Sequence, residues 1–257
     1  MAKTAHVPRL FVLAGTNGAG KSSIGGTTIR SRGGEYFNPD EAAARIRQAH
    51  PHLSATQANS AAWHEGKRLL QHALAKGLDY NFETTLGGKS FAALLKAAAA
   101  SGFEVRIWYV GLASPEHHLA RVKARVKKGG HDIPEADIRR RFDQSRLQLI
   151  DLLPHLAELR VYDNSHDADP HQGKAPKPML LLHWVQSQAD GTGTHKPQAT
   201  VRVPASAQAL MATPEWAKPV VMAALKLQSD AQTVPDTEAI KDASTASVRP
   251  KRNRPAR

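Results

Sequence analysis

Short apolar runs alternate with stretches of helical periodicity along most of the chain. Arg9 to Ala14 (RLFVLA) reads as a short buried strand; Gly15 ends it, and a helix-compatible stretch opens at Lys21. Glu35 to Phe37 predicts a second strand, closed by Asn38-Pro39-Asp40. A proline holds the residue before it in extended backbone, so Asn38 stays extended and Asp40 can cap a helix over Glu41 to Ala49. Thr56 to Lys76 places Ala58, Ala62, Leu69, Leu70, Ala73 and Leu74 at helical spacing and stops at Gly77. Tyr80 to Thr84 (YNFET) alternates as a strand, Lys89 to Ala100 is alanine-rich helix, and Phe103 to Leu112 (FEVRIWYVGL) is the strongest strand pattern. Ser114-Pro115-Glu116 opens a helix that runs to about Lys128: a serine to cap, a proline in the first turn, an acid at the positive end. Gly129-Gly130 breaks it; another helix spans Pro134 to Leu153, and Leu159 to Tyr162 is a further strand. This alternation predicts an α/β fold, a parallel sheet flanked by helices on both faces.

The pattern fades near residue 190. Residues 190–257 contain Trp216 as their sole aromatic and seven of the 16 prolines, and Arg249 to Arg257 carries five basic groups and no acid. Little apolar surface is there to offset the entropy of ordering. Residues 1–189 therefore read as one domain and 190–257 as a low-complexity basic tail expected to be disordered, with Pro214 to Leu227 its one candidate amphipathic helix.

Composition narrows the class. Hydrophobic residues at 41% and charged residues at 23% suffice for a sizeable core. No cysteine is present, which excludes a disulfide scaffold and any thiolate metal site. No run approaches the roughly 18 apolar residues of a membrane span, and Leu10 to Ala14 is too short for a secretory signal, so a cytoplasmic protein with no membrane partner is expected. Lys+Arg at 35 against Asp+Glu at 23 gives a formal charge of +12, which favours anionic partners such as phosphates, nucleotides, nucleic acid or an acidic protein. His117-His118 and the His50/His52 pair have no carboxylates at ligand spacing, so no dedicated transition-metal site is expected.

The turn Gly15-Thr16-Asn17-Gly18-Ala19-Gly20-Lys21-Ser22, followed by Ser23, matches G-x-x-x-x-G-K-[ST] between a strand and a helix. Glycines let the backbone wrap a phosphate chain and aim N–H groups at it, and the helix dipole adds attraction. Lys21 would neutralise the outer phosphates of ATP, and the Ser22 hydroxyl would ligate Mg²⁺. A transport ATPase would need an LSGGQ-type signature and a GTPase an N-K-x-D base reader; neither occurs. The rest suits phosphoryl transfer to a hydroxyl. Asp40 follows the second strand, where open α/β sheets bind ligands, and is the candidate general base as well as a candidate cap. Glu83, beside Thr84 and Thr85, ends a strand and is the candidate to hold Mg²⁺ through water or to orient the acceptor. Arg121 and Arg125 share one helix face, and with His131, Arg139, Arg140 and Arg141 they form a candidate basic lid over ATP.

Five blocks, AGTNGAGKSS, FNPDEAA, NFETTLGG, VRIWYVGLASPEHHLARVKARVKKGGHDIPEADIRRRF and VYDNS, together resemble the zeta-toxin family of P-loop kinases over about residues 9 to 165. The resemblance implies a nucleotide-kinase-like core that uses ATP to phosphorylate a sugar hydroxyl of UDP-N-acetylglucosamine, a toxin countered by an antitoxin. It matches Lys21 and Ser22 to the phosphate-loop pair, Asp40 to the base, Glu83 to the acid of the E-T-T block, Glu65 to a substrate-contacting glutamate, His131 and Arg139 to Arg141 to the lid, and Asp163-Asn164-Ser165 to the adenine side. Two readings stand beside it: a polynucleotide 5′-hydroxyl kinase, favoured by the charge but lacking aromatic-basic alternation, and a non-catalytic nucleotide- or nucleic-acid-binding module using the basic tail.

Overall fold

The computed structural model describes residues 6–26, 29, 36–130, 132–166, 178–187 and 198–233. Its frame is a six-stranded sheet in the order β2-β1-β3-β4-β5-β6, formed by β1 (Arg9–Ala14), β2 (Tyr80–Thr84), β3 (Glu104–Gly111), β4 (Glu158–Asp163), β5 (Met179–Gln186) and β6 (Ala199–Val203). The first four strands are parallel, with Val12 aligned to both Phe82 and Ile107. β5 and β6 run antiparallel, so the sheet is mixed where the pattern predicted a parallel one. The connection from β4 to β5 carries Pro170, Pro176 and Pro178, poor material for the crossover helix that a parallel strand needs. The strand expected at Glu35 to Phe37 reduces, among the described residues, to one parallel bridge from Phe37 to Phe82.

The helices are α1 (Pro39–Ala49), α2 (Ala55–Lys76), α3 (Lys89–Ala100), α4 (Pro115–Lys127), α5 (Glu135–Leu152), α6 (Ala207–Met211) and α7 (Lys218–Thr233). Their ends follow local chemistry. Ser54 and Gln57 form a reciprocal capping box on α2, and Gly77 closes it in the left-handed region. α1 corrects an expectation: its cap is Asn38, whose Oδ1 accepts from the N–H of Asp40 at 2.9 Å and of Glu41 at 3.4 Å. Pro39 holds Asn38 extended, which brings the Asn38 side chain under the first turn and leaves the Asp40 side chain free of capping.

The glycine turn runs into a single π-helical turn, Ser22–Gly26. Gly25 packs on the buried Leu13: a Cβ there would stand 2.4 Å from a Leu13 methyl, so a glycine unfavourable for helix is required for contact with β1. One large core joins Leu10, Val12, Ile107 and Val161 of the sheet to Leu95 of α3 and Leu149 of α5. Trp184 of β5 and Trp216, Ala217, Val220, Val221 and Ala224 belong to that same core. The expectation of a loose tail from residue 190 therefore fails for residues 198–233, which supply the edge strand and the helix that covers it; residues 234–257, with the Arg249 to Arg257 cluster, lie outside the described residues.

Candidate active site

The turn Gly15–Ser22 emerges from β1 between β2 and β3. Gly15 sits at φ 136°, and a Cβ there would stand 2.1 Å from the Val110 carbonyl oxygen on β3. Its N–H donates to the Thr84 carbonyl on β2 at 3.2 Å. Three elements grip the turn from outside. On α4, His118 Nδ1 lies 2.8 Å from the Asn17 carbonyl oxygen; a carbonyl only accepts, so Nδ1 carries the proton. On α5, Arg141 donates to Asn17 Oδ1 at 2.9 Å while its carbonyl accepts from Thr16 Oγ1 at 3.3 Å. After β4, Asn164 Nδ2 donates to the Ala19 carbonyl at 2.9 Å, and the Asn164 carbonyl accepts from Arg121 at 2.7 Å. Burial pushes the His118 imidazole down to about 4, and the Lys21 and Arg121 charges act in the same direction against the Asn17 carbonyl. Burial also holds Arg141 below the ordinary guanidinium range, with Asp137 opposing.

Beneath the turn, Lys21 and Glu83 are only 6% and 8% exposed, with Nζ 3.5 Å from Oε1. Ser22 Oγ donates to Glu83 Oε2 at 2.8 Å, and Asn38 Nδ2 donates to Ser22 Oγ at 3.3 Å and to Glu83 Oε2 at 3.4 Å. An ammonium, a hydroxyl and a carboxylate thus stand together at the mouth of a glycine turn. Among the described residues no group of three or more His, Cys, Asp or Glu is placed to hold a metal ion; Ser22 and Glu83 are oxygen donors at the turn that could share a hard cation with a ligand. Ser23 is exposed beside the turn.

Asp40 projects from the first turn of α1, and its Oδ2 accepts from Arg125 of α4 at 3.2 Å. Asp40 lines a cavity of about 540 Å³ together with Asn17, Glu83 and Thr84. Phe37, Trp63, Phe82 and Phe91 form an aromatic side, and Thr56, Asn59, Arg140, Arg141 and Asp137 complete a polar rim.

Most of the expected residues meet here: Asn17, Asp40, Glu83, Thr84, Arg140 and Arg141 line the cavity, Lys21 and Ser22 contact Glu83, Arg125 contacts Asp40, and Arg121 bonds the Asn164 carbonyl beside the turn. Two do not. Glu65 is turned away from the cavity and holds Arg68 in a two-pronged pair at 2.9 and 2.8 Å, which draws its carboxyl below the usual range. The next position, Gly66, faces the cavity instead; one residue along a helix is a rotation of about 100°. Arg139 is bound on the surface to Glu116 at 2.7 Å and Glu135 at 2.8 Å, outside the cavity. His131 lies outside the described residues. Sequence reasoning missed Asn38, His118 and the aromatic wall. Asn38 and His118 could have been suspected from their places beside Asp40 and at the start of a helix facing the turn; the wall assembles from distant segments and leaves no local signal.

Comparison with known proteins agrees with this architecture. The family model described as Zeta toxin matches residues 2–171. An uncharacterized protein of Haemophilus influenzae is 35% identical over 132 residues, half of this chain and 88% of that protein. A chain of the AvrRxo1-ORF1:-ORF2 complex solved with ATP superposes with a TM-score of 0.53 at 16% identity, covering 70% of this chain; this chain spans about three fifths (59%) of its length. The same complex with sulphate ions gives 0.55 at 14% identity, covering 90% of this chain and 82% of that one. At such identities the superpositions speak to fold alone. The glycine turn with its lysine and serine, the carboxylate-bearing cavity beside it and a family match over about two thirds of the sequence have one common account: the chain belongs to the zeta toxin family of P-loop kinases.

Proposed function

We propose that this protein is an ATP-dependent small-molecule kinase that transfers the γ-phosphoryl group to a hydroxyl of UDP-N-acetylglucosamine or a related nucleotide sugar, as the toxin of a toxin–antitoxin pair. The observation that carries this reading is Asp40, paired with Arg125, in the lining of the cavity that also opens onto Asn17 and Glu83. The donor set suits a magnesium nucleotide: the turn Gly15 to Ser23 and Lys21 would hold the phosphates, and Ser22 and Glu83 would hold Mg²⁺. ATP supplies the phosphoryl group, and Mg²⁺ offsets the charge of its oxygens. The chain does the rest. Asp40 accepts the hydroxyl proton, Arg125 orients that carboxylate from 3.2 Å, Thr84 lies against the acceptor, and Arg121, Arg140 and Arg141 set positive charge around the transferring group. The AvrRxo1 neighbour was solved as a two-protein complex, which supports a protein antitoxin for this chain.

The test offers labelled ATP with a panel of nucleotide sugars, plain sugars and a 5′-hydroxyl oligonucleotide to the full chain and to Asp40→Ala. Label should appear on a nucleotide sugar and fall by about 100-fold or more in the variant, while ATP binding persists. Label on the oligonucleotide alone would make the chain a polynucleotide kinase. Undiminished transfer by Asp40→Ala would remove the proposed base.

A further inference from the structure

We infer that Asn38 is a positioning residue: its amide oxygen holds the first turn of α1, which carries Asp40, while its amide nitrogen holds the Ser22 hydroxyl and the Glu83 carboxylate. One side chain thereby sets the proposed base against the proposed cation donors. The inference rests on the kinase reading above for the roles of those three groups.

The orientation of the amide follows from its neighbours. The backbone N–H groups of Asp40 and Glu41 only donate, so the atom that faces them is Oδ1; the Glu83 and Glu41 carboxylates only accept, so the atom that faces them is Nδ2. Asn38 is 3% exposed. Its Nδ2 lies 3.3 Å from Ser22 Oγ, 3.4 Å from Glu83 Oε2 and 3.5 Å from Glu41 Oε1. These are long hydrogen bonds, as two hydrogens shared among three oxygens would give. The Ser22 hydroxyl donates its hydrogen to Glu83 Oε2 at 2.8 Å and accepts from Asn38 with one lone pair. Its second lone pair is the one left for a cation. Without Nδ2 the hydroxyl is free to turn, and a ligand whose orientation is not held binds its metal less well.

A cap alone would not need an asparagine. Serine, threonine and aspartate supply the acceptor equally, and asparagine adds a donor on the same short side chain. The backbone brings that donor within reach. The Phe37 N–H donates to the Asn81 carbonyl at 2.9 Å, and the Phe37 carbonyl accepts from the Glu83 N–H at 2.8 Å, so the chain is pinned to β2 one residue before Asn38. One residue after it, Pro39 starts α1, and the Asn38 carbonyl accepts from the Ala42 N–H at 2.9 Å. Asn38 is thus the one residue between a clamp on the strand of Glu83 and the helix of Asp40.

Three full-length proteins decide this: the wild type, Asn38→Ser, which keeps the capping acceptor and loses the donor, and Asn38→Ala, which loses both. ATP affinity is titrated with and without Mg²⁺. Magnesium should tighten ATP binding by the wild type, and that gain should shrink about tenfold in both variants, while affinity without Mg²⁺ stays within about twofold. The melting temperature should fall by no more than about 4 °C in Asn38→Ser and further in Asn38→Ala, so that the magnesium effect follows the donor and stability follows the cap. Transfer to UDP-N-acetylglucosamine is then timed: kcat should drop about 30-fold in Asn38→Ser with the acceptor KM within about threefold. A magnesium gain as large in Asn38→Ser as in the wild type, or absent from both, would overturn the inference and leave Asn38 a cap. The two readings fail separately. A magnesium gain that depends on Asn38, with no transfer to any acceptor, sinks the kinase and upholds Asn38 as the holder of Ser22 and Glu83. Transfer by Asn38→Ser at the wild-type kcat sinks the positioning role and leaves the kinase.

Discussion

His118 is 1% exposed and donates from Nδ1 to the Asn17 carbonyl, so a neutral imidazole supports the glycine turn. Unfolded, the ring titrates near 6.5; folded, burial pushes it down to about 4. The unfolded chain therefore binds the additional proton between those values. The stability this residue contributes is complete above about 6.5 and is lost as pH falls toward 4, by on the order of 3 kcal/mol at the lower limit. Urea midpoints measured from pH 7 to pH 4 should decline through that window, and His118→Gln should flatten the decline. A wild-type curve with no slope there would exclude a buried neutral His118. Glu116, two residues away, makes the opposite case: Arg139 pulls its carboxyl to about 2, yet the pair is exposed and solvent screens it, so removing Glu116 should leave the curve nearly unchanged.

At the scale of elements, the separation of β1 from β3 at their C-terminal ends depends on a missing side chain. Gly15 combines φ 136° with a carbonyl oxygen 2.1 Å from where a Cβ would lie, and that oxygen belongs to strand backbone that cannot swing aside. Gly15→Ala should cost about 2 kcal/mol or more and weaken nucleotide binding, because the Gly15 N–H bond to Thr84 and the path of the turn shift together. Thermal denaturation and ATP titration of the variant check both; an unperturbed melting temperature would show that the strands part easily. This element was legible in the sequence because its constraints are local: a strand, glycines at fixed offsets, then lysine and serine. The α1 entry was half legible. Asn38-Pro39-Asp40 announced a capped helix, but both Asn and Asp can cap, and it is the start of the helix at Pro39 rather than at Glu41 that makes the extended Asn38 the cap. The consequence reaches the site, since the same Asn38 also bonds Ser22 and Glu83 through Nδ2. The aromatic side of the cavity was not legible, because Phe37, Trp63, Phe82 and Phe91 converge from a bridge, two helices and a strand.

For the whole molecule, the question is where the folded unit ends. Averaged over residues 190–257, composition reads as a tail, and that average hides a short alternating strand, ATVRV, and the partner that the candidate helix at Pro214 to Leu227 packs on. β5 was hidden differently: MLLLHWVQ is an apolar run without clear alternation, which periodicity alone cannot assign. Together these segments finish the sheet. β6 pairs with β5, the Val201 N–H donates to Gln228 Oε1 of α7 at 2.8 Å, and the Trp216 carbonyl accepts from Arg146 of α5 at 3.0 Å. The Trp216 ring lies so close to β3 that a Cβ on Gly111 would come within 2.3 Å of it. A chain cut after Asp190 keeps β5 but strips its outer neighbour and uncovers Trp184, leaving an apolar edge strand with unpaired backbone groups. Such a chain should aggregate or unfold without a cooperative transition. The full-length Trp216→Ala variant should remain folded but lose about 3–5 kcal/mol, because a buried indole leaves a cavity that the sheet cannot close. Chemical denaturation of the two proteins beside the wild type separates a structural role from a dispensable one. If the truncated chain unfolds with the wild-type midpoint, β6 and α7 are accessories to a sheet that stands without them.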